Sequence, residues 1–311
     1  MKKEHNQIAV LSDDSGIRLD RWFKRHHPET PFGIIAKLVR KGLIRINGKR
    51  AEVSTKINEA DNLTFPELPS LKEQKNSDIL NNKYKEDLLN SVIFKDENII
   101  VINKPAGLAV QGGSKITISV DSLLHYLKFD SENKPKLVHR IDKETSGILV
   151  LARNNQTVTK LAWLFKSKDM TKSYIALLEG LPRPYTGKVE SSIEKLFKDG
   201  YEKMRTSDEG KLAISTYQVI DHAADKFALV AMQPVTGRTH QLRIHAAQLD
   251  CPIVGDDKYN LKKIKYDFVA DRLFLHAYSM EFTMDNKFYR FSADLPNYFS
   301  SALKHLGLEL K

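Results

Sequence analysis

The sequence predicts an α+β protein in two parts: a small, basic N-terminal module of two helices and a hairpin, then a larger domain on a mixed, mainly antiparallel β-sheet. Three observations predict it. The chain of 311 residues exceeds one typical domain. Its positive charge is concentrated near the start, and beyond residue 91 strand-like runs outnumber helix-like ones without alternating regularly with them.

Hydrophobic residues at 41% and charged residues at 28% suit a well-packed core in water. No apolar run approaches the roughly 18 residues needed to cross a bilayer. The apolar stretch at 8–11 is too short for a secretory signal, so a cytoplasmic protein without membrane association is expected. Cys251 is the only cysteine, which excludes an intrachain disulfide and any multi-cysteine metal site. The net charge of +10 favours a polyanionic partner.

The module comes first. Residues 17–56 hold eleven basic and three acidic residues, a local excess of +8. Leu19, Trp22 and Phe23 recur at helical spacing, with Arg21, Lys24 and Arg25 on the other faces. After Pro31-Phe32-Gly33, a second stripe of Ile34, Ile35, Leu38 and Val39 is opposed by Lys37, Arg40 and Lys41, and Gly42 stands where a helix C-cap belongs. Leu43 to Ile46 then lead into Asn47-Gly48, a tight-hairpin signal. One uncompensated basic surface on such a frame suits a phosphate backbone, so Arg21, Arg25, Lys37, Arg40, Lys41, Arg45, Lys49 and Arg50 are the expected RNA-binding residues. Through "RLDRWFKRH", "IIAKLVRKGLIRINGKR" and "EVSTKINEADNLTF" the segment 1–66 resembles the S4-type RNA-binding domain. Residues 67–90, rich in polar residues with Pro69 and Ser70, are expected to be a linker with a short helix at 84–89.

In the larger domain, 91–311, strands are expected at 99–103, 148–152, 173–178, 213–220, 227–232 and 274–282. A helix should follow Asn155, with Val158, Leu161, Ala162 and Phe165 inward, and another should run over 239–249. Four polar clusters stand among these elements: "NKPAGLAVQGG" from Asn103, "HRIDKETSG" from His139, "TKSYIALLEG" from Thr171, and "VTGRTHQLRIHAAQLDCPIVGDDKY" from Val235.

Their chemistry is narrowed by what is missing. His139-Arg140-Ile141-Asp142 echoes a kinase catalytic loop, but no glycine-rich phosphate loop precedes it and no Asp-Phe-Gly follows. His240 and His245 are five apart rather than four and lack a cysteine or H-E-x-x-H context for zinc, while His276 reads as a satisfied core histidine. Asp256 and Asp257 beside Gly255 read as a turn rather than a magnesium site. Two-carboxylate glycoside hydrolysis has only weak second acids in Glu144 and Asp256. What is left is one carboxylate, Asp142, among arginines; a neighbouring guanidinium keeps such a group ionised and fit to act as a nucleophile or base.

"LVHRIDKETSGILVLAR", followed by "KSYIALLEG", "GRTHQLRIH", "IVGDDKY" and "LFLHA" and preceded by "NKPAGL", resembles the RluA-type pseudouridine synthases in motif content and order. The resemblance implies that Asp142 is the catalytic carboxylate, that Tyr174 packs on the uracil and serves as base, and that Arg243 pairs with Asp142. It further implies substrate binding by Arg140, Arg238 and His240, with Arg140 displacing the target base. A uridine in folded RNA must leave its stack to be reached, and remaking a glycosidic bond needs no redox group or metal, so no cofactor is expected. The resemblance is strongest to the class acting on large-subunit (23S) ribosomal RNA. A transfer-RNA synthase of the same family and a non-catalytic ribosome assembly factor stay open. No heptad or other association signal is present, and a monomer is expected.

Overall fold

The structure, a computed structural model, describes residues 5–28, 30–68, 77–112, 118–198, 201–261, 264, 266, 267 and 270–310. The chain divides into two compact units, 1–82 and 83–311.

The smaller unit contains β1 (His5–Ala9), α1 (Leu19–His26), α2 (Phe32–Arg40), β2 (Arg45–Ile46), β3 (Lys49–Arg50) and β4 (Asn62–Pro66). The strands form one antiparallel sheet in the order β1-β4-β2-β3, so the expected hairpin is the edge of a four-stranded sheet. Leu19, Trp22 and Phe23 of α1 and Ile35 and Val39 of α2 pack with Ile44, Ile57, Leu63 and Phe65 into its core. Helix α2 ends as its sequence anticipates: Gly42 takes φ +68°, the Leu43 N–H donates to Leu38 and the Gly42 N–H to Val39, a closed Schellman pair. Asn47 and Gly48 both have positive φ, the conformation of a two-residue hairpin turn.

Helix α3 (Ser77–Asn90) occupies most of the segment expected to be a linker. Leu88 is fully buried in the core of the larger unit, an apolar anchor that a solvated linker would not have, so the larger unit begins ahead of residue 91. Residues 69–76 of that segment, Pro69 and Ser70 among them, lie outside the described residues.

The larger unit continues with β5 (Val92–Lys95), β6 (Ile99–Lys104), α4 (Val120–Leu123), β7 (Lys136–Leu137), β8 (Ser146–Ala152), α5 (Asn155–Ser167), β9 (Met170–Glu179), β10 (Thr186–Lys198), β11 (Tyr201–Thr206), β12 (Lys211–Ala223), β13 (Phe227–Pro234), α6 (Gln241–Gln248), β14 (Leu275–Met284), β15 (Lys287–Ser292) and α7 (Asn297–Leu306). Eleven strands form one sheet, in the order β11-β10-β12-β13-β9-β14-β8-β6-β5, with β15 on β14 and β7 on β8. The β8–β14 pair is parallel and the other strand pairs are antiparallel, which is the mixed, mainly antiparallel sheet expected.

That one parallel contact explains a glycine. His276 and Ala277 lie opposite Ser146 and Gly147, and a Cβ on Gly147, whose φ is +106°, would sit 2.2 Å from the Ala277 carbonyl oxygen. Only glycine permits this approach. Helix α5 starts where Asn154 accepts the Thr157 N–H at 2.8 Å. Its buried stripe is Thr157, Leu161 and Leu164, while Ala162, expected inside, faces out because Leu164 takes its place over the sheet.

Candidate active site

A cleft of about 580 Å³ opens where the loop before β8, the start of β9, and the β13–α6 connection converge. Asp142, Arg140, Tyr174, Arg238, His240 and Arg243 all line it, so the six residues expected to carry catalysis and substrate binding share one site.

The loop that carries Asp142 is held from several sides. Ile141 is buried in the same core cluster as Leu108 and Val110, while the residues flanking it in sequence, Arg140 and Asp142, keep contact with solvent. His139 turns inward: its Nε2 accepts the Val150 N–H at 2.8 Å and its ring stacks on Phe165 at 4.4 Å. Burial, helped by the Lys172 charge, lowers its pKa to about 3, so the ring stays neutral and available as an acceptor. From the other side Lys104 reaches in. Its Nζ donates to the carbonyls of Pro105 and Leu108, both at 2.8 Å, and of Lys143 at 3.1 Å, and the Gly107 N–H donates to the same Lys143 carbonyl. The Lys104 side chain is completely buried. Burial pushes its pKa down to about 7, opposed by the charges of Glu144 and Asp142. Behind the loop, Ser146 donates to His276 Nδ1 at 2.8 Å and His276 Nε2 donates to the Ala293 carbonyl at 3.0 Å, the satisfied core histidine expected.

On β9, Tyr174 is half-buried. Burial first, and the Asp142 charge second, raise its pKa above the ordinary phenol value. It is therefore a neutral phenol at physiological pH, suited to stacking and to donating a hydrogen bond. A base role, one of the expectations from sequence, is not what these surroundings favour.

The partner of Arg243 differs from expectation. Its Nε and Nη2 donate to the two oxygens of Asp256 at 2.7 and 2.6 Å, with a further contact to Asp257 at 3.2 Å. The Asp142 carboxylate instead has His240 Nε2 at 4.0 Å. The reason is geometric. Asp256 is fully buried and already bent into a turn by accepting the N–H groups of Lys258 and Tyr259, so both its oxygens face the planar guanidinium. Burial opposes the Arg243 charge, but Asp256, and more weakly Asp142, outweigh it and raise the pKa. Asp256 thus serves both as the turn read from sequence and as the tether of Arg243.

The β13–α6 connection is set by Gln241. Its Oε1 accepts from the Thr236 hydroxyl and the Arg238 N–H at 2.7 and 3.0 Å, while its Nε2 donates to the Ile214 carbonyl and to Ser215 Oγ, both at 2.8 Å. The Arg238 side chain stays exposed at the cleft, donating to the Leu212 carbonyl. His240, at φ +55°, bonds the Tyr259 hydroxyl through Nδ1 at 2.7 Å and turns Nε2 toward Asp142. Lys104, Gln241, Asp256 and Tyr259 all sit inside the motifs singled out in the sequence, but the roles of Lys104, Gln241 and Tyr259 and the tethering role of Asp256 were not read there. Gly113, at the end of the first motif, lies outside the described residues.

The eight expected RNA-binding residues of the smaller unit are all exposed. Two of them also do structural work: Arg25 pairs with Asp14 at 2.7 Å, and Arg45 donates to the carbonyls of Gly42 and Gly48, both at 3.1 Å.

Known proteins resemble this arrangement in sequence and in fold. The profile of the RNA pseudouridylate synthase family matches residues 98–248, which include the loop of Asp142, strand β9 and helix α6. The ribosomal large subunit pseudouridine synthase C of Rickettsia felis is 40% identical over 305 residues, 94% of this chain and 98% of its own. The protein of the same name from Escherichia coli K12 is 31% identical, over 89% and 88% of the two chains. Among solved structures, human RNA pseudouridylate synthase domain containing 4 superposes with a TM-score of 0.64 at 30% identity, covering 75% of this chain and 98% of that one. With identity at this level running across almost the whole chain, the protein belongs to the RluA-type RNA pseudouridine synthases.

Proposed function

We propose that this enzyme isomerises uridines of large-subunit (23S) ribosomal RNA to pseudouridine, with Asp142 as its catalytic carboxylate. The observation that carries the reading is the cleft itself: one carboxylate on a clamped loop, facing a neutral phenol, with exposed arginines at the opening. The two bacterial relatives named above, which match over most of both chains, act by name on the large ribosomal subunit.

The reaction breaks N1–C1′, turns the uracil, and forms C5–C1′; C5 gives up its proton and N1 takes one up. Asp142 acts on the nucleoside while C1′ is without its base. Tyr174 packs on the uracil, and its phenol keeps its proton in the free enzyme. Arg140, exposed beside Asp142, inserts where the target nucleotide leaves its stack. Arg238 and His240 hold the substrate from the opposite wall. Arg243 acts by fixing α6 and the charge behind Asp142 through Asp256.

The smaller unit is in this reading an S4-type RNA-binding module whose basic surface engages the phosphate backbone. The enzyme works as a cytoplasmic monomer. Incubation with ribosomal RNA carrying a C5 isotope label tests the central assignment: the wild type should release the label and Asp142→Ala should not. Release by Asp142→Ala at the wild-type rate would overturn it.

A further inference from the structure

Three lysines line one wall of the cleft and have no part in the chemistry above. Lys166 lies in the last turn of α5, Lys168 is its C-cap, and Lys172 lies on β9 two residues before Tyr174. Side chains two apart on a strand share a face at a spacing of about 6.6 Å. Lys172 thus stands beside the uracil platform at roughly the reach from a base to its own phosphate.

Lys172 is unlike a surface lysine. It is half-buried, and burial alone lowers its pKa, with no carboxylate opposing the shift. None of the three lysines is ion-paired among the described residues. The neighbouring His139 stays neutral and is itself held so in part by the Lys172 charge, so it offers no compensation. A half-buried ammonium without an anion is costly unless a ligand supplies one.

Lys168 adds an independent mark. It holds φ +68° at the C-cap of α5, a left-handed conformation that glycine takes without strain. A helix C-terminus favours cations, which accounts for charge at Lys166 and Lys168. It does not account for Lys172, which lies on a strand.

We propose that Lys172, with Lys166 and Lys168 at the rim, forms an anion subsite that takes the RNA backbone phosphate adjoining the target uridine. The subsite rests on the pseudouridine synthase reading and deepens it. Fixing that phosphate sets the ribose over Asp142 once the base has turned out, with three point charges suited to a phosphate held in varied orientations.

The test uses the full chain and a large-subunit ribosomal RNA transcript, with Lys172→Met, Lys168→Gly, Lys166→Gln and Lys172→Arg. Binding is measured across a salt series, and KM and kcat are measured by pseudouridine formation. Each lysine that contacts a phosphate should lower the slope of log affinity against log salt by about 0.7–0.9 when neutralised. For Lys172→Met, KM should rise about tenfold with kcat within about threefold, and Lys172→Arg should restore the slope. Lys168→Gly should melt no lower than wild type while still losing slope, which separates binding from folding. Unchanged slopes and KM in all three neutral variants would overturn the subsite. A wild type that forms no pseudouridine would instead defeat the functional reading, and the salt slopes would still decide the subsite.

Discussion

Replacing Asp256 by Asn isolates the interaction that departs most from expectation. The change keeps the side chain's shape and its bonds to the Lys258 and Tyr259 N–H groups but removes the charge facing Arg243. The two side chains are 0% and 4% exposed and meet through bonds of 2.7 and 2.6 Å, so the guanidinium left behind would be buried and uncompensated. Removing one partner of a buried pair costs about 3–5 kcal/mol; the lower end applies here because an Asn oxygen still accepts one bond. Arg243→Met should cost a similar amount by stranding the carboxylate, and the double variant should cost much less than the sum, with a coupling of about 2–3 kcal/mol. Urea unfolding of the four proteins measures this. Asp256→Asn should also lower turnover at least about tenfold, although Asp256 is not among the residues lining the cleft. Additive destabilisation within about 0.5 kcal/mol would refute the tether and return Arg243 to direct partnership with Asp142.

Lys104→Met keeps the buried stem but removes the donor shared by the Pro105, Leu108 and Lys143 carbonyls, leaving the Lys143 carbonyl with the Gly107 N–H, so stability should fall by about 2–4 kcal/mol and kcat more than KM, read by unfolding and steady-state kinetics. Acid should destabilise the larger unit early. His139, His245 and His276 have values of about 3, 4 and 4, below the ordinary 6.5. As pH falls the unfolded chain therefore binds protons first: stability is full above the ordinary value and is lost through the window down to about 4, by about 1.4 kcal/mol per unit for each histidine. A flat stability between pH 7 and 4 would contradict these neutral assignments. Neutralising Lys37, Arg40 and Lys41 together should reduce the salt slope of RNA binding by about 2–3 and leave kcat unchanged, measured by titration and by turnover at saturating RNA.

The sequence made much of this legible because several elements are determined locally. The Schellman end of α2 and the Asn47-Gly48 turn are written in residues that tolerate positive φ, and β8 is an unbroken apolar run after Ser146. The hairpin β10–β11 was not anticipated. Its strands carry Lys188, Glu190, Glu194 and Lys195 among few apolar residues, so its order comes from pairing with β12 rather than from periodicity. Strand β1 was missed for a similar reason, being short and fixed by β4.

The site divides in the same way. Residue types and motif order brought Asp142, Tyr174, Arg140, Arg238, His240 and Arg243 to one cleft. Which carboxylate takes Arg243 was not readable, because Asp256 competes from thirteen residues away and wins through a turn that aims both of its oxygens. Lys104 escaped notice because a buried lysine becomes reasonable only when three carbonyls converge on it, and that convergence joins loops 39 residues apart in sequence. His139, which opens the motif, shapes the turn by accepting a strand's N–H.

In the proposed reaction Asp142 drives isomerisation of uridine in large-subunit ribosomal RNA. Pseudouridine mapping in cells lacking this protein, complemented with the wild type or with Asp142→Asn, tests it most directly. Specific large-subunit positions should be unmodified in the deletion strain, restored by the wild type and left as uridine by Asp142→Asn. Restoration by the variant, or sites lost only from transfer RNA, would contradict it.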